Sequence, residues 1–174
     1  AKSLSDPVPE HPIIFTKAPG TMIGAGDTIL PPWAMSSEID YEAELGVVIG
    51  RAGRGITRDA ALSHVWGYTV INDVTSRDLQ VKHKQWLLGK SIDTFCPIGP
   101  WIVTADELHH ANIDIACWVN GELRQQANTR DMIFDIPAII ETISASMSLA
   151  TGDIIATGTP AGVGVGFKPP KFLQ

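Results

Sequence analysis

Nowhere does this 174-residue chain gather lysines or arginines into a cluster that could track a phosphate backbone, and its net charge of −6 is dispersed. Nucleic acid is therefore not an expected partner. Long apolar runs are lacking too. The stretch Ile136 to Ile140 is far short of a bilayer span, so no membrane partner is expected. No signal-peptide pattern opens the chain, and Cys96 and Cys117 lack CxxC spacing. Both read as reduced thiols in a cytoplasmic protein, not as a disulfide or a zinc site. HExxH, GxSxG, GxxxxGKS and GxGxxG are all missing, which removes the commonest signatures of zinc proteases, serine hydrolases and nucleotide binding. The histidines His11, His64, His83, His109 and His110 are scattered and read as surface or hydrogen-bonded side chains.

What is present points to a turn-rich globular fold. Twelve prolines and sixteen glycines accompany a 44% apolar fraction, enough for a real core at this length. Residues 1–32 read as loops around one or two short strands, with Ile13-Ile14-Phe15 as the apolar piece. Residues 42–50 alternate with period two, which predicts a strand. Thr57 is a candidate cap for a short helix over 58–64. A β-branched and aromatic run at 66–72 predicts a second strand ending at Asp73. Residues 76–90 read as a loop with a helical turn, and 100–104 as a strand. Asn120-Gly121 is a hairpin signal between arms at 113–119 and 122–126. Ile136, Ile139, Ile140, Ile143 and Met147 fall at helical spacing within 134–149. Residues 153–157 read as a buried strand leading into a glycine-rich loop, for which a plain loop is the simplest reading. There is no internal repeat and no linker, so one domain over 1–174 is expected. Strands outnumber helices, which indicates an α+β, mainly β architecture and not a doubly wound sheet.

Glu42-Ala43-Glu44 is the feature that structure alone does not explain. Positions i and i+2 of a strand share a face, with Cβ atoms roughly 6–7 Å apart. Two carboxylates so placed repel and resist burial unless a cation compensates them. A solvated strand face would produce the same pattern. Gly46 and Gly50 on that face are expected to leave space above the sheet, and Asp73 at the end of the second strand offers a third oxygen. Three carboxylates without Cys or His suit Mg²⁺, Mn²⁺ or Ca²⁺ better than zinc. The residues by themselves thus indicate a β-rich enzyme with a carboxylate-bound cation.

Four segments resemble the fumarylacetoacetate hydrolase family. They are the run from Asp40 through Glu42-Ala43-Glu44 to Gly50, the run from Gly67 through Asn72-Asp73 to Arg77-Asp78-Leu79-Gln80, the run from Gln85 through Gly89-Lys90-Ser91 to Pro100, and Gly152 to Pro160 with Gly158-Thr159-Pro160 at its end. Their order and coverage of nearly the whole chain make chance agreement negligible. The resemblance implies a mixed β-roll or barrel of the family's C-terminal-domain type, a homodimer, and Mg²⁺ or Mn²⁺ on Glu42, Glu44 and Asp73. It implies that Arg77, Gln80, Lys90 and Thr159 line a pocket for a small 2-oxo acid. Lys90 and Arg77 are the expected catalytic charges, acting electrostatically on a pyruvate enolate and not through a Schiff base. The expected activity is hydrolysis of a C–C bond in an acylpyruvate. Oxaloacetate decarboxylation and 2-hydroxydienoate isomerisation are alternatives at the same site, and a non-catalytic metal-binding scaffold is a third. The family's lid motif, Asn-Tyr-x-x-His-x-x-Glu, would lie just before Ala1, with Ser3 in the place of its Glu. The domain is thus expected to be incomplete at both ends.

Overall fold

The computed structural model of the chain describes residues 8–174; Ser3 lies outside them. The backbone forms β1 (Met22–Gly24), β2 (Ile39–Asp40), β3 (Ala43–Ile49), β4 (Val65–Asn72), β5 (Thr75–Ser76), α1 (Arg77–Lys82), α2 (Leu87–Lys90), β6 (Cys96–Ile98), β7 (Val103–Thr104), β8 (Asp114–Val119), β9 (Glu122–Asn128), α3 (Ile136–Ser146) and β10 (Ile154–Ala156). The architecture is α+β with strands in the majority. The main sheet is mixed, six-stranded and ordered β1-β6-β4-β3-β10, with β7 also on β4. Its end strands β1 and β10 do not meet, so the described residues close no barrel.

The centre of the sheet is the antiparallel pair β3–β4, in register from Ala43↔Asn72 to Val47↔Tyr68. Strand β10 flanks β3 on its other side, with Ala156 opposite Gly46. On one face, Leu45, Val47 and Ile49 pack against Ile136, Ile139, Ile140 and Ile143 of α3. The isoleucine spacing that makes α3 amphipathic is therefore what buries it. Asp135 caps α3 by accepting from Ala138 N at 3.0 Å, an N-cap bond typically worth about 1 kcal/mol.

The other face of β3 departs from expectation. All seven residues of the strand are buried, so Glu44 does not look onto solvent. A Cβ on Gly46 would sit 2.8 Å from Ile71 Cδ1 and 2.9 Å from Thr69 Cγ2, and one on Gly50 would sit 2.7 Å from Trp66 Cβ. At Gly46 the space is taken by neighbouring side chains, which close over the strand.

Smaller corrections have local causes. Residues 58–64 form a 3-10 helix that Thr57 does not cap. Only Val103–Thr104 of the 100–104 segment pairs in the sheet, and Pro100 has no N–H to donate. Ile13, Ile14 and Phe15 are exposed and form no strand. Met147 lies beyond α3 and is exposed. Strand β10 alternates exposed and buried, as an edge strand does. The 76–90 segment folds into two short helices, α1 and α2. The β8–β9 hairpin turns at Asn120-Gly121, both at positive φ, 51° and 78°, as its dipeptide requires. Among the described residues, no helix is long and apolar enough to cross a membrane.

Candidate metal centre

Antiparallel pairing sets the start of β3 against the end of β4. Asp73 N donates to Glu42 O at 2.9 Å, and Asn72 Oδ1 accepts from Glu42 N at 3.0 Å. Glu42 and Glu44 therefore meet Asp73 at one end of the sheet, where each offers an oxygen within 4.8 Å of the others. All three are buried, at 7%, 3% and 0% exposure. Three carboxylates so close cannot all ionise in a dry site unless positive charge faces them.

The chain supplies that charge from three side chains. Lys90, 2% exposed, bridges Glu42 Oε2 at 2.8 Å and Asp73 Oδ2 at 2.6 Å. Arg77 Nη2 lies 2.6 Å from Glu42 Oε1, and its Nε donates to Asp40 Oδ2 at 2.9 Å. Burial works against the charge of Arg77, but Glu42 and Asp40 outweigh it and hold its pKa above the ordinary value. Lys17 Nζ donates to Asp73 Oδ1 at 2.6 Å, to Val74 O at 3.1 Å and to Lys90 O. Among the described residues, Glu44 has no such cation of its own. Gly158 N donates to its Oε2 at 2.8 Å, yet burial first, then the charges of Asp73 and Glu42, push its pKa up to about 8.

With Glu44 ionised, four carboxylates, Asp40 included, face three cations among the described residues, one positive charge short. A hard divalent ion fits that deficit, and the donor set is oxygen only. Cys96 does not add a soft ligand. Burial, with Asp73 and Glu44 acting in the same sense, raises its thiol to about 11, so it stays protonated.

The remaining side chains named from the sequence are drawn to the same end of the sheet. Gln80 accepts from Arg77 Nη1 at 3.2 Å, leaving its amide N–H₂ for a ligand. The Thr159 hydroxyl is held on the protein: it donates to Ala43 O at 3.0 Å and accepts from Gln125 Nε2 at 2.8 Å. Lys90 is aimed by a close approach of two helices. A Cβ on Gly89 would lie 2.6 Å from Gln80 N and 2.7 Å from Ser76 O, so only glycine lets α2 sit on the start of α1. Above Lys90, the Phe15 ring centroid is 5.0 Å from Nζ and packs edge-on against Trp86, a cation–π arrangement.

Sequence reasoning missed three residues of this centre. Lys17 lies in an irregular segment without periodicity, and nothing local marks it. Asp40, fully buried, accepts from Tyr41 N, Gly164 N and Val165 N as well as Arg77. Its signal was an acidic residue two places before Glu42. Gln125, 1% exposed, ties Ala43 N to Thr159 and Pro160 O; one buried amide in a hairpin arm leaves no sequence trace. Among the described histidines, His64 bonds to Arg51, and His109 and His110 stack beside Tyr68.

A mixed α+β sheet that offers a hard divalent cation a buried carboxylate site at one end defines a recognisable class of enzyme domain. The fumarylacetoacetate (FAA) hydrolase C-terminal family matches residues 1–174, and the chain belongs to it. Oxaloacetate tautomerase YisK of Bacillus subtilis is 52% identical over 168 residues, 96% of this chain and 56% of that protein. Mitochondrial oxaloacetate tautomerase fahd2 of Xenopus laevis is 50% identical over 171 residues, 97% of this chain and 53% of that protein. The chain thus spans about half the length of these relatives. Among solved structures, a fumarylacetoacetate hydrolase from Exiguobacterium antarcticum superposes with a TM-score of 0.91 at 50% identity, covering 93% of this chain and 58% of that one. A 2-hydroxyhepta-2,4-diene-1,7-dioate isomerase from Mycobacterium marinum superposes at 0.85 and 45% identity, covering 90% and 61%.

Proposed function

We propose that this chain carries the active site of a divalent-metal-dependent enzyme that interconverts the enol and keto forms of a small 2-oxo dicarboxylate of the oxaloacetate type. The carrying observation is the buried Glu42–Glu44–Asp73 triad with the Lys90 ammonium bridging two of its members. The names of the relatives above support the substrate class. This reading prefers one of the isomerase-type alternatives to the acylpyruvate hydrolysis expected from family resemblance. Hydrolysis also needs a base to prepare water, and two tautomerases and an isomerase are among the relatives named above. A keto–enol shift needs only charge stabilisation and a proton moved between oxygen and carbon.

A Mg²⁺ or Mn²⁺ ion held by the triad would supply Lewis-acid charge toward the substrate's carboxylate and 2-oxo oxygen. The protein's own groups do the rest. Lys90, bridging two carboxylates of the triad, would oppose the negative charge that grows on that oxygen in the enolate. Because Lys90 is desolvated, the opposition is stronger than it would be in water. Gln80 offers an amide donor to a substrate carboxylate, and Arg77, fixed by Asp40 and Glu42, keeps the pocket positive beside it. Phe15 and Trp86 shield Lys90 from water. The same reading includes a homodimer, for which exposed Trp66, Val70 and Trp101 provide apolar surface.

The test is to supply enol-oxaloacetate to the Mg²⁺-loaded full-length protein and follow loss of the enol's ultraviolet absorbance while assaying pyruvate. Faster enol decay without pyruvate is expected. Pyruvate release from oxaloacetate, or cleavage of acetylpyruvate, outpacing the enol–keto shift would overturn the reading.

A further inference from the structure

Lys17 is the cation of this centre that no sequence pattern announces, and its contacts distinguish it from the other two. Lys90 and Arg77 each span two carboxylates, whereas Lys17 spends one hydrogen bond on Asp73 Oδ1, at 2.6 Å, and two on the carbonyls of Val74 and Lys90. Its side chain is only 11% exposed. An ammonium has three protons, and all three are matched. The carbonyl contacts fasten it to the end of β4 and the end of α2, so it stays beside Asp73 whether or not a cation is present.

We propose that Lys17 is a resident counter-ion of Asp73 that holds the acidic triad together in the metal-free protein and, by the same charge, keeps divalent-metal binding weak. The proposal rests on the metal reading above and deepens it. Two opposed effects decide its sign. Removing a partner that orients a metal ligand usually weakens binding about 10–100-fold. Removing a positive charge that shares a carboxylate with the arriving cation strengthens it, because like charges so close repel strongly in a desolvated site. Orientation is the smaller effect here. Asp73 is fully buried, its backbone is tied to Glu42 O at 2.9 Å, and its other oxygen is held by Lys90 at 2.6 Å. Without Lys17 the carboxylate keeps its place and loses only its neutralising neighbour.

The experiment compares Mn²⁺ binding to the full-length protein and to Lys17→Met and Lys17→Gln by calorimetry, with thermal unfolding in the absence and presence of Mn²⁺. Both variants should bind Mn²⁺ at least tenfold more tightly and melt at lower temperature without it, so that Mn²⁺ raises their melting temperature more than the parent's. A purely structural lysine would lower the melting temperature and leave the affinity unchanged, which would overturn the proposal, as would weaker binding. If Lys17→Met does not fold without metal, Lys17→Gln carries the test, since its amide keeps an uncharged donor at that position. If neither folds, nitrogen-15 NMR of the Lys17 ammonium in the parent decides: the signal must shift on saturation with Mg²⁺, and an unmoved signal overturns the proposal. A parent that takes up no Mn²⁺ brings down the metal reading and this proposal together. A parent that binds while its variants bind no tighter removes only the role of Lys17.

Discussion

Asp40→Asn is the substitution that tests whether the centre is assembled from behind. Asp40 is fully buried, and both its oxygens are in use. Oδ1 accepts from Tyr41 N at 2.9 Å and Gly164 N at 2.6 Å, and Oδ2 accepts from Arg77 Nε at 2.9 Å and Val165 N at 3.0 Å. An asparagine is the same size but must turn an N–H₂ toward one of these pairs, and every partner is itself a donor. Either rotamer leaves two N–H groups facing donors and Arg77 without its rear carboxylate. Breaking a buried ion pair by removing one partner typically costs ~3–5 kcal/mol, a large share of the roughly 5–15 kcal/mol that holds a domain folded. Urea unfolding of the metal-free protein should show the midpoint falling accordingly at unchanged slope. Arg77 should also leave Glu42, so Mn²⁺ affinity should change in the same variant. A loss below about 1 kcal/mol, within the range of a single neutral hydrogen bond, would refute the idea that Asp40 anchors the site.

Three further outcomes follow from the geometry. Glu44 has a folded-state pKa of about 8 against 4.5 unperturbed, so the unfolded chain ionises it first. Its contribution to metal-free stability is therefore complete below pH 4.5 and lost as pH rises through about 8; melting curves across that window should show the decline, and Glu44→Gln should flatten it. Gly89→Ala places a methyl against the backbone of Gln80 and Ser76, so α2 must shift; turnover should fall by orders of magnitude while far-ultraviolet circular dichroism changes little, and near-normal kinetics would show that the position of Lys90 is not set by that contact. Light scattering of the full-length protein should give the dimer mass across micromolar dilution, and a steady monomer mass would contradict the proposed pairing through the exposed tryptophan-bearing face.

The paired strands, the hairpin and α3 were legible because each writes a period or a turn signal into consecutive residues. Alternation from Ala43 to Ile49, β-branching up to Asn72, Asn120-Gly121 and the isoleucines of α3 all act locally. The carboxylate triad was legible for the same reason, since two of its members are i and i+2 on one strand. What remained hidden depends on contacts across the chain. Lys17 meets Asp73 across an irregular segment, and Gln125 reaches Thr159 from a hairpin arm. The burial of Glu44 follows from Ile71 and Thr69 closing over Gly46, which strand periodicity does not report. Short pieces such as β1, β2 and β6 carry two or three residues each, too few to set a period.

The two signs of charge in this centre rest on different kinds of scaffold. The carboxylates stand at the ends of the central, fully paired strands, where a displacement would break the sheet. The cations come from short or irregular segments: Lys17 from an irregular run, Arg77 from the first turn of a six-residue helix and Lys90 from the last turn of a four-residue one. Such a division separates what must be kept from what can be tuned. Substitutions in those short segments would move the positive half of the centre while the carboxylates stay in register. Under the function proposed above, selectivity among 2-oxo acids would then be written into the least regular parts of the domain.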